Sequence, residues 1–360
     1  MKMRKLICAF CACVLTVSLL ASCGGTSDVL YIEDAGGKKV VAMNENMFSY
    51  HLSDNKTYYL LGIGATTDAA EFWNASANIQ GKTIGDMAFD SVVSRAKKML
   101  AGAYLYESLR SSTPESKELF TQMDIQIEKQ VDALESQLVS SMGSKSALSS
   151  YLSGFGVDLK NLREYYTLSF KEVALRSTLA PDEQEKKEYF SQNYSIVKHI
   201  LVNTSFKVKE DGSKVSLSEE EIATKLALAD SINARLSAGE AFEDLWEEYK
   251  DADATGAAMY PDGYFVSADS NYTASFKEAA LDMAVGELRT VKSDYGVHII
   301  KKYPMDAEKY NLYESIASEL ETAVTDKKYA ELIAPYAETV KINSEALSQF
   351  SIVSAPIMLG

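Results

Sequence analysis

The octapeptide "YGVHIIKK", residues 295–302, sets one histidine inside an apolar, β-branched run. A second such stretch, "SIVKHILVN" at 195–203, does the same. Both alternate as strands do. They open and close one segment, and the two ends of such a segment often become neighbours in one sheet. His199 and His298 are therefore expected close together. Spacing alone leaves two readings open: a hydrogen-bonded pair that stabilises the core, or the floor of a site.

What lies between the two runs is mostly helical. "SLSEEEIATKLALADSINARLSAGE" (216–240) starts on a capping box, Ser218 with Glu221, and stops at Gly239. "AFEDLWEEYK" (241–250) is a second helix, and "TASFKEAALDM" (273–283) a third, with Gly286 just beyond it. The order is β-α-α-loop-α-β, with Pro304 at the exit. This α/β module takes residues 193–304.

The flanks read as helix. "KKVVAMNENMFSYHL" (38–52) gives a short strand, a turn at Asn44 and a helix start. His51 is expected there as a surface or capping residue. A helical pattern covers Phe72 to Ser111, with Met87, Val92, Ala96, Leu100 and Tyr104 on one face. Thr113 is the expected cap of the next helix and Pro114 its first residue. Leu119, Met123, Ile127, Val131, Leu134, Leu138 and Met142 repeat along it. A third helix starts at Asp158 and breaks at Pro181, and 182–194 form a fourth. Helix returns in "YNLYESIASELETAVTDKKYAELIAPYAETV", followed by "VKIN" (340–343) as a last strand. The expected fold is α+β: a helical domain (38–192) joined by a returning helix (305–345), with the module inserted, and 346–360 as a tail.

The N-terminus reads as a targeting signal. "MKMRK" is basic and "LICAFCACVLTVSLL" is apolar but shorter than the ~20 residues of a spanning helix. It ends in "LASC", which resembles the bacterial lipobox. That resemblance implies cleavage of 1–22 and lipidation of Cys23, an extracytoplasmic protein held at a membrane, and 23–37 as a flexible tether. The other cysteines, Cys8, Cys11 and Cys13, leave with the signal, so no disulfide is expected.

The formal net charge of −15 argues against sequence-independent nucleic-acid binding, which relies on dense Lys and Arg. No phosphate loop, zinc-ligand spacing or G-x-S-x-G elbow is present; "LGIGATTD" (61–68) is only half a dinucleotide fingerprint. No cofactor and no metal are called for.

"VKHILVN", "GEAFEDLWEEY", "DGYF", "SFKEAALDMAVGEL" and "YGVHIIKK", in that order, resemble the parvulin-type peptidyl-prolyl isomerase family. With the lipobox and the helical flanks, the whole is similar to the PrsA-type extracytoplasmic foldases; SurA-like chaperones share that helical frame. The resemblance implies isomerisation of X–Pro bonds in unfolded exported polypeptides. It implies His199, His298, Ser293 and Asp253 as the catalytic set, and Phe276, Tyr272 and Phe265 as proline-binding residues. The chain departs from the pattern at Ala252, where an Asp or Cys is usual, and at Asp262, where an apolar residue is usual. Two other readings stay open: a non-catalytic chaperone with a degenerate module, and a solute-binding lipoprotein.

Overall fold

The computed structural model describes residues 27–65, 68–79, 81–209, 211–249 and 260–358. The signal segment, Cys23, Ala252 and Asp253 lie outside them. The chain divides into two units: 1–180 with 325–360, and 181–324.

The first unit is built on a small antiparallel sheet. β1 (Asp28–Glu33) pairs with β2 (Lys39–Asn44) and with β11 (Lys341–Ile342). Asn44 ends β2 and caps α1 (Glu45–Gly62), its Oδ1 accepting from Met47 N–H at 2.9 Å. A short α2 (Ala70–Asn74) and the pair β3 (Ser76–Ile79) and β4 (Lys82–Thr83) follow. The helical pattern read from Phe72 onward is thus interrupted by a hairpin. Helix resumes as α3 (Ile84–Arg110) on a capping box of Thr83 and Asp86. Thr113 caps α4 (Pro114–Met142), whose first residue is the expected proline. Gly143 and Ser144 turn the chain into α5 (Lys145–Ser153), and Asp158 caps α6 (Leu159–Ser177).

Two expectations about the ends are corrected. Residues 28–33 are not tether: Val29, Leu30 and Ile32 are at most 1% exposed in the core beneath α1 and α3. Residues 346–358 are not a loose tail. After α12 (Ser344–Leu347), Ile352 and Ala355 join the same core. The carbonyls of Val353 and Ala355 accept from Lys56, a fully buried lysine that also pairs with Asp68 at 2.7 Å. Both ends bond across long sequence separations, which local patterns do not reveal.

The second unit is a four-stranded antiparallel sheet, order β8-β5-β10-β9. β5 is Ser195–Asn203, β8 Tyr264–Val266, β9 Leu288–Ser293 and β10 Gly296–Tyr303. A small hairpin, β6 (Phe206–Val208) with β7 (Lys214–Ser216), follows β5. The two faces follow from strand alternation. Ile196, Ile200, Val202, Val297 and Ile299 face one side. There α8 (Glu219–Ser237) and α9 (Phe242–Tyr249) pack, with α7 (Glu183–Asn193) toward the β8 end. Ser218 and Glu221 form the expected capping box. Val197, Val266 and Ile300 face the other side, against α10 (Ala274–Asp282). α11 (Glu314–Ala337) carries the boundary between the units within its length.

Candidate active site

The central strands place the two histidines. In the β5–β10 pairing His199 sits opposite Ile300, and His298 opposite Leu201. The histidines are therefore diagonal neighbours on one face, within reach of one another. Their Nδ1 atoms are 3.0 Å apart and the rings are 9° from parallel. Both are buried, 6% and 5% exposed. Burial drives the His199 pKa down to about 3, with His298 opposing its charge, and drives His298 down to about 4. Both rings are neutral at pH 7, so a single proton lies between the two Nδ1 atoms.

A tight turn supplies the third member. Ser293 ends β9 and pairs with Gly296 at the start of β10. Gly296 has φ +145°, and a Cβ there would stand 2.2 Å from the Val202 carbonyl, so only glycine closes this turn. The turn brings Ser293 Oγ to 2.7 Å from His298 Nε2, and Tyr295 N–H donates to the same oxygen at 3.1 Å. His199 Nε2, by contrast, is buried with no hydrogen-bond partner among the described residues. A buried N–H without an acceptor is rarer than a bare lone pair. The favoured arrangement has His199 Nδ1–H donating to His298 Nδ1, and His298 Nε2–H donating to Ser293.

Aromatic rings wall the pair. Phe276 on α10 lies 4.9 Å from the His199 ring and 5.3 Å from His298, centroid to centroid. Tyr264 meets His199 edge-to-face at 4.6 Å. Tyr272 touches both Phe276 (5.5 Å) and Tyr264 (5.8 Å), and Tyr260 lies 4.7 Å from Tyr264. Gly263, at φ +108°, lets β8 enter beside the Val197 carbonyl, where a Cβ would be at 2.9 Å. Burial pushes the Tyr272 hydroxyl up to about 12, so it stays protonated.

The structure brings together His199, His298, Ser293, Phe276 and Tyr272. Phe265 is a correction. It pairs with Ile196 on β5 and points to the opposite face, against Phe190 and Tyr313. Its neighbour Tyr264, opposite Val197, takes the place beside the histidines. Both residues of "YF" are aromatic and both faces of β8 are buried, so composition could not choose between them. Parity with Val197 and His199 could have. Tyr260 was missed for a simpler reason: it precedes the turn and carries no periodic signal. Asp262 is solvent-exposed in that turn, its backbone N–H donating to the Tyr313 hydroxyl. Asp253 lies outside the described residues.

The arrangement suits shape recognition rather than covalent chemistry. Ser293 beside His298 superficially suggests a nucleophile and base. The far nitrogen of that ring faces another neutral imidazole, so no carboxylate stabilises an imidazolium. A ring pKa near 4 also makes a weak base at neutral pH. Among the described residues, no group of three or more His, Cys, Asp or Glu is placed to hold a metal ion.

Residues 183–303 match the PPIC-type PPIase domain family. The foldase protein PrsA of Bacillus subtilis (strain 168) is 29% identical over 192 residues, 51% of this chain and 63% of that protein. The match thus spans less than two thirds of the relative. Among solved structures, PrsA from Bacillus subtilis covers 80% of this chain and 95% of its own at 18% identity, with a TM-score of 0.24. The peptidylprolyl isomerase PrsA from Bacillus cereus covers 76% and 96% at 20% identity, with a TM-score of 0.31. Residues 183–303 are thus similar to PPIC-type PPIase domains, and about half of the chain is similar to part of a PrsA foldase.

Proposed function

We propose that this chain is a peptidyl-prolyl isomerase of the parvulin type that assists the folding of exported polypeptides. The observation that carries the reading is the neutral histidine pair inside an aromatic wall, within the segment that matches the PPIC-type family. Rotating an X–Pro bond crosses a barrier of ~18–20 kcal/mol and makes or breaks no covalent bond. A site for it needs an apolar seat for the proline ring and a surround that favours the twisted amide over the planar one. Phe276, Tyr264 and Tyr272 form the seat. His199, His298 and Ser293 fix the polar floor beneath it and hold the rings in place. Asp253, one residue beyond Ala252 where the family pattern has its acid, is the group proposed to face the rotating peptide bond.

The lipobox ending in Cys23 supports an extracytoplasmic protein anchored to a membrane. The clients are then unfolded or partly folded exported chains that contain X–Pro bonds. Among the described residues, no helix is long and apolar enough to cross a membrane.

A protease-coupled proline-peptide assay tests the activity. The expected result is acceleration above the uncatalysed rate, reduced at least tenfold by Phe276→Ala or His199→Ala in protein that still melts cooperatively. A rate equal to the uncatalysed one sinks the enzyme reading. Suppressed aggregation of an unfolded client without isomerisation would leave a binding-only chaperone in its place. Separately, Cys23→Ser is expected to move the protein from membrane to supernatant. Retention on the membrane would end the anchor proposal.

A further inference from the structure

The first unit contains a cleft of about 470 Å³ with a predominantly polar lining. Three helices build it. α1 presents Asp54, α3 presents Arg95 and Lys98, and α6 presents Ser169 and Glu172. Facing helices usually bury apolar side chains at these spacings. On α3 those positions are Val92, Ala96 and Met99, while Arg95 and Lys98 stand exposed at the edge of the cleft.

Most polar groups of the lining are accounted for. The His51 ring bonds Tyr165 and Val92, and Asn55 bonds His51. The Tyr329 hydroxyl, beside Glu172, donates to the Lys98 carbonyl, and Arg176 pairs with Asp326. What remains are two carboxylates, Asp54 and Glu172, and two cations. Asp54 is half-buried and makes no hydrogen bond or ion pair with any described residue. Burial pushes its carboxyl up, and Arg95 pulls it down only through space, from beyond ion-pair distance. Arg95 and Lys98, one turn apart on α3, are likewise unpaired. Free surface cations alone mean little. A desolvated carboxylate left facing them across a cleft is costly unless something completes it.

The lining selects the ligand. An apolar molecule would bury charge. A dianion such as phosphate would meet Asp54 and Glu172. A divalent cation would meet Arg95 and Lys98, and no group of three acidic or metal-ligating side chains is present among the described residues. A molecule carrying both signs a few ångströms apart satisfies both sides at once. We propose that this cleft binds a small zwitterion, a free α-amino acid or a dipeptide, with its ammonium on Asp54 and its carboxylate on Arg95 and Lys98. The Ser169 hydroxyl is free to add a hydrogen bond. The site does not depend on the isomerase reading.

Calorimetric titration and thermal-shift measurements on the full chain test it. The probes are alanine, glutamate, lysine and alanyl-alanine, with N-acetyl-alanine and alanine amide as single-charge controls. At least one zwitterion is expected to bind and raise the melting temperature, and each blocked form of alanine to bind roughly tenfold more weakly or not at all. Alanine against alanyl-alanine tells whether the free acid or the dipeptide fits the charge spacing. Asp54→Asn and Arg95→Gln are each expected to weaken zwitterion binding by roughly tenfold. Asp54→Asn keeps side-chain size, Arg95→Gln shortens an exposed side chain, and a far-ultraviolet spectrum like that of the parent confirms the fold. Absence of binding by every zwitterion overturns the proposal. So does equal binding of the blocked forms, or unchanged affinity in the Asp54→Asn, Arg95→Gln double variant.

Discussion

His51 and His199 are both buried histidines, 2% and 6% exposed, and both are held neutral by burial. They differ in what their nitrogens meet. His51 Nε2 lies 3.1 Å from the Val92 carbonyl, so it must donate, and Nδ1 then accepts from the Tyr165 hydroxyl at 3.0 Å. Its hydrogen bonding is complete. His199 bonds only its twin, and its Nε2 meets no hydrogen-bonding atom among the described residues. A fully partnered buried histidine serves the fold. One left short of partners, in an aromatic wall, is a candidate for a site.

Acid is the broadest test of that contrast. Burial depresses the pKa of His51 to about 4, His298 to about 4 and His199 to about 3, from 6.5 unfolded. Below pH 6.5 the unfolded chain binds protons that these rings refuse, so stability is full above 6.5 and falls as pH drops toward 4. At about 1.4 kcal/mol per unit, each ring contributes on the order of 3 kcal/mol. Asp54 and Glu172 in the first unit carry the opposite sign. Burial raises both, so their protonation favours the folded state as pH falls. The second unit, with two histidines and no such offset at its site, is expected to melt first. Domain-resolved hydrogen exchange between pH 7 and 4 checks the order, and earlier loss in the first unit would break the contrast.

Removing residues 351–360 tests the fully partnered side. Lys56 is buried and leans on the Val353 and Ala355 carbonyls as well as Asp68. Truncation removes two of those three partners and uncovers the core around Ile352. The expected loss is about 3–5 kcal/mol in urea unfolding. An unchanged midpoint would mean the lysine finds water instead.

A paired substitution cuts closer. His51→Phe strands the Val92 carbonyl and the Tyr165 hydroxyl and is expected to cost about 1–3 kcal/mol, with the proposed isomerase activity untouched. His199→Phe strands only His298 Nδ1 and should cost less stability but most of the activity. Denaturant midpoints and peptide turnover, measured on both, must split in opposite directions. Parallel losses in the two variants would erase the distinction.

Local signals in the sequence located most elements but fewer of their long-range contacts. Thr113 with Pro114, and Ser218 with Glu221, are local devices and stand where expected. The strands around His199 and His298 were legible because alternation with β-branched residues is local too. His51 was not legible as buried: its partners are 41 and 114 residues away. β1 went unread although its longer pairing is local, with β2, and only its other edge meets Lys341 and Ile342 at the far end of the chain. At the site, one expected residue lies on the other face of the sheet. The Phe265 expectation failed by a single step of strand parity, which moves a side chain through the sheet.

The finest test concerns the proton between the two rings. Ser293 Oγ receives both His298 Nε2 and the Tyr295 N–H, which biases the His298 proton to Nε2 and leaves its Nδ1 to accept from His199. Ser293→Ala removes that bias and is expected to cost only about 1 kcal/mol of stability. The informative readout is the ring nitrogen shifts. In the parent, His298 should show a protonated Nε2 and His199 a protonated Nδ1; in the alanine variant the two tautomers should mix. Ser293→Thr, which keeps the hydroxyl, should restore the parent pattern and its turnover. If the tautomers are unmoved by alanine, the order of the pair is set by the aromatic wall around His199, and Ser293 only shapes the turn.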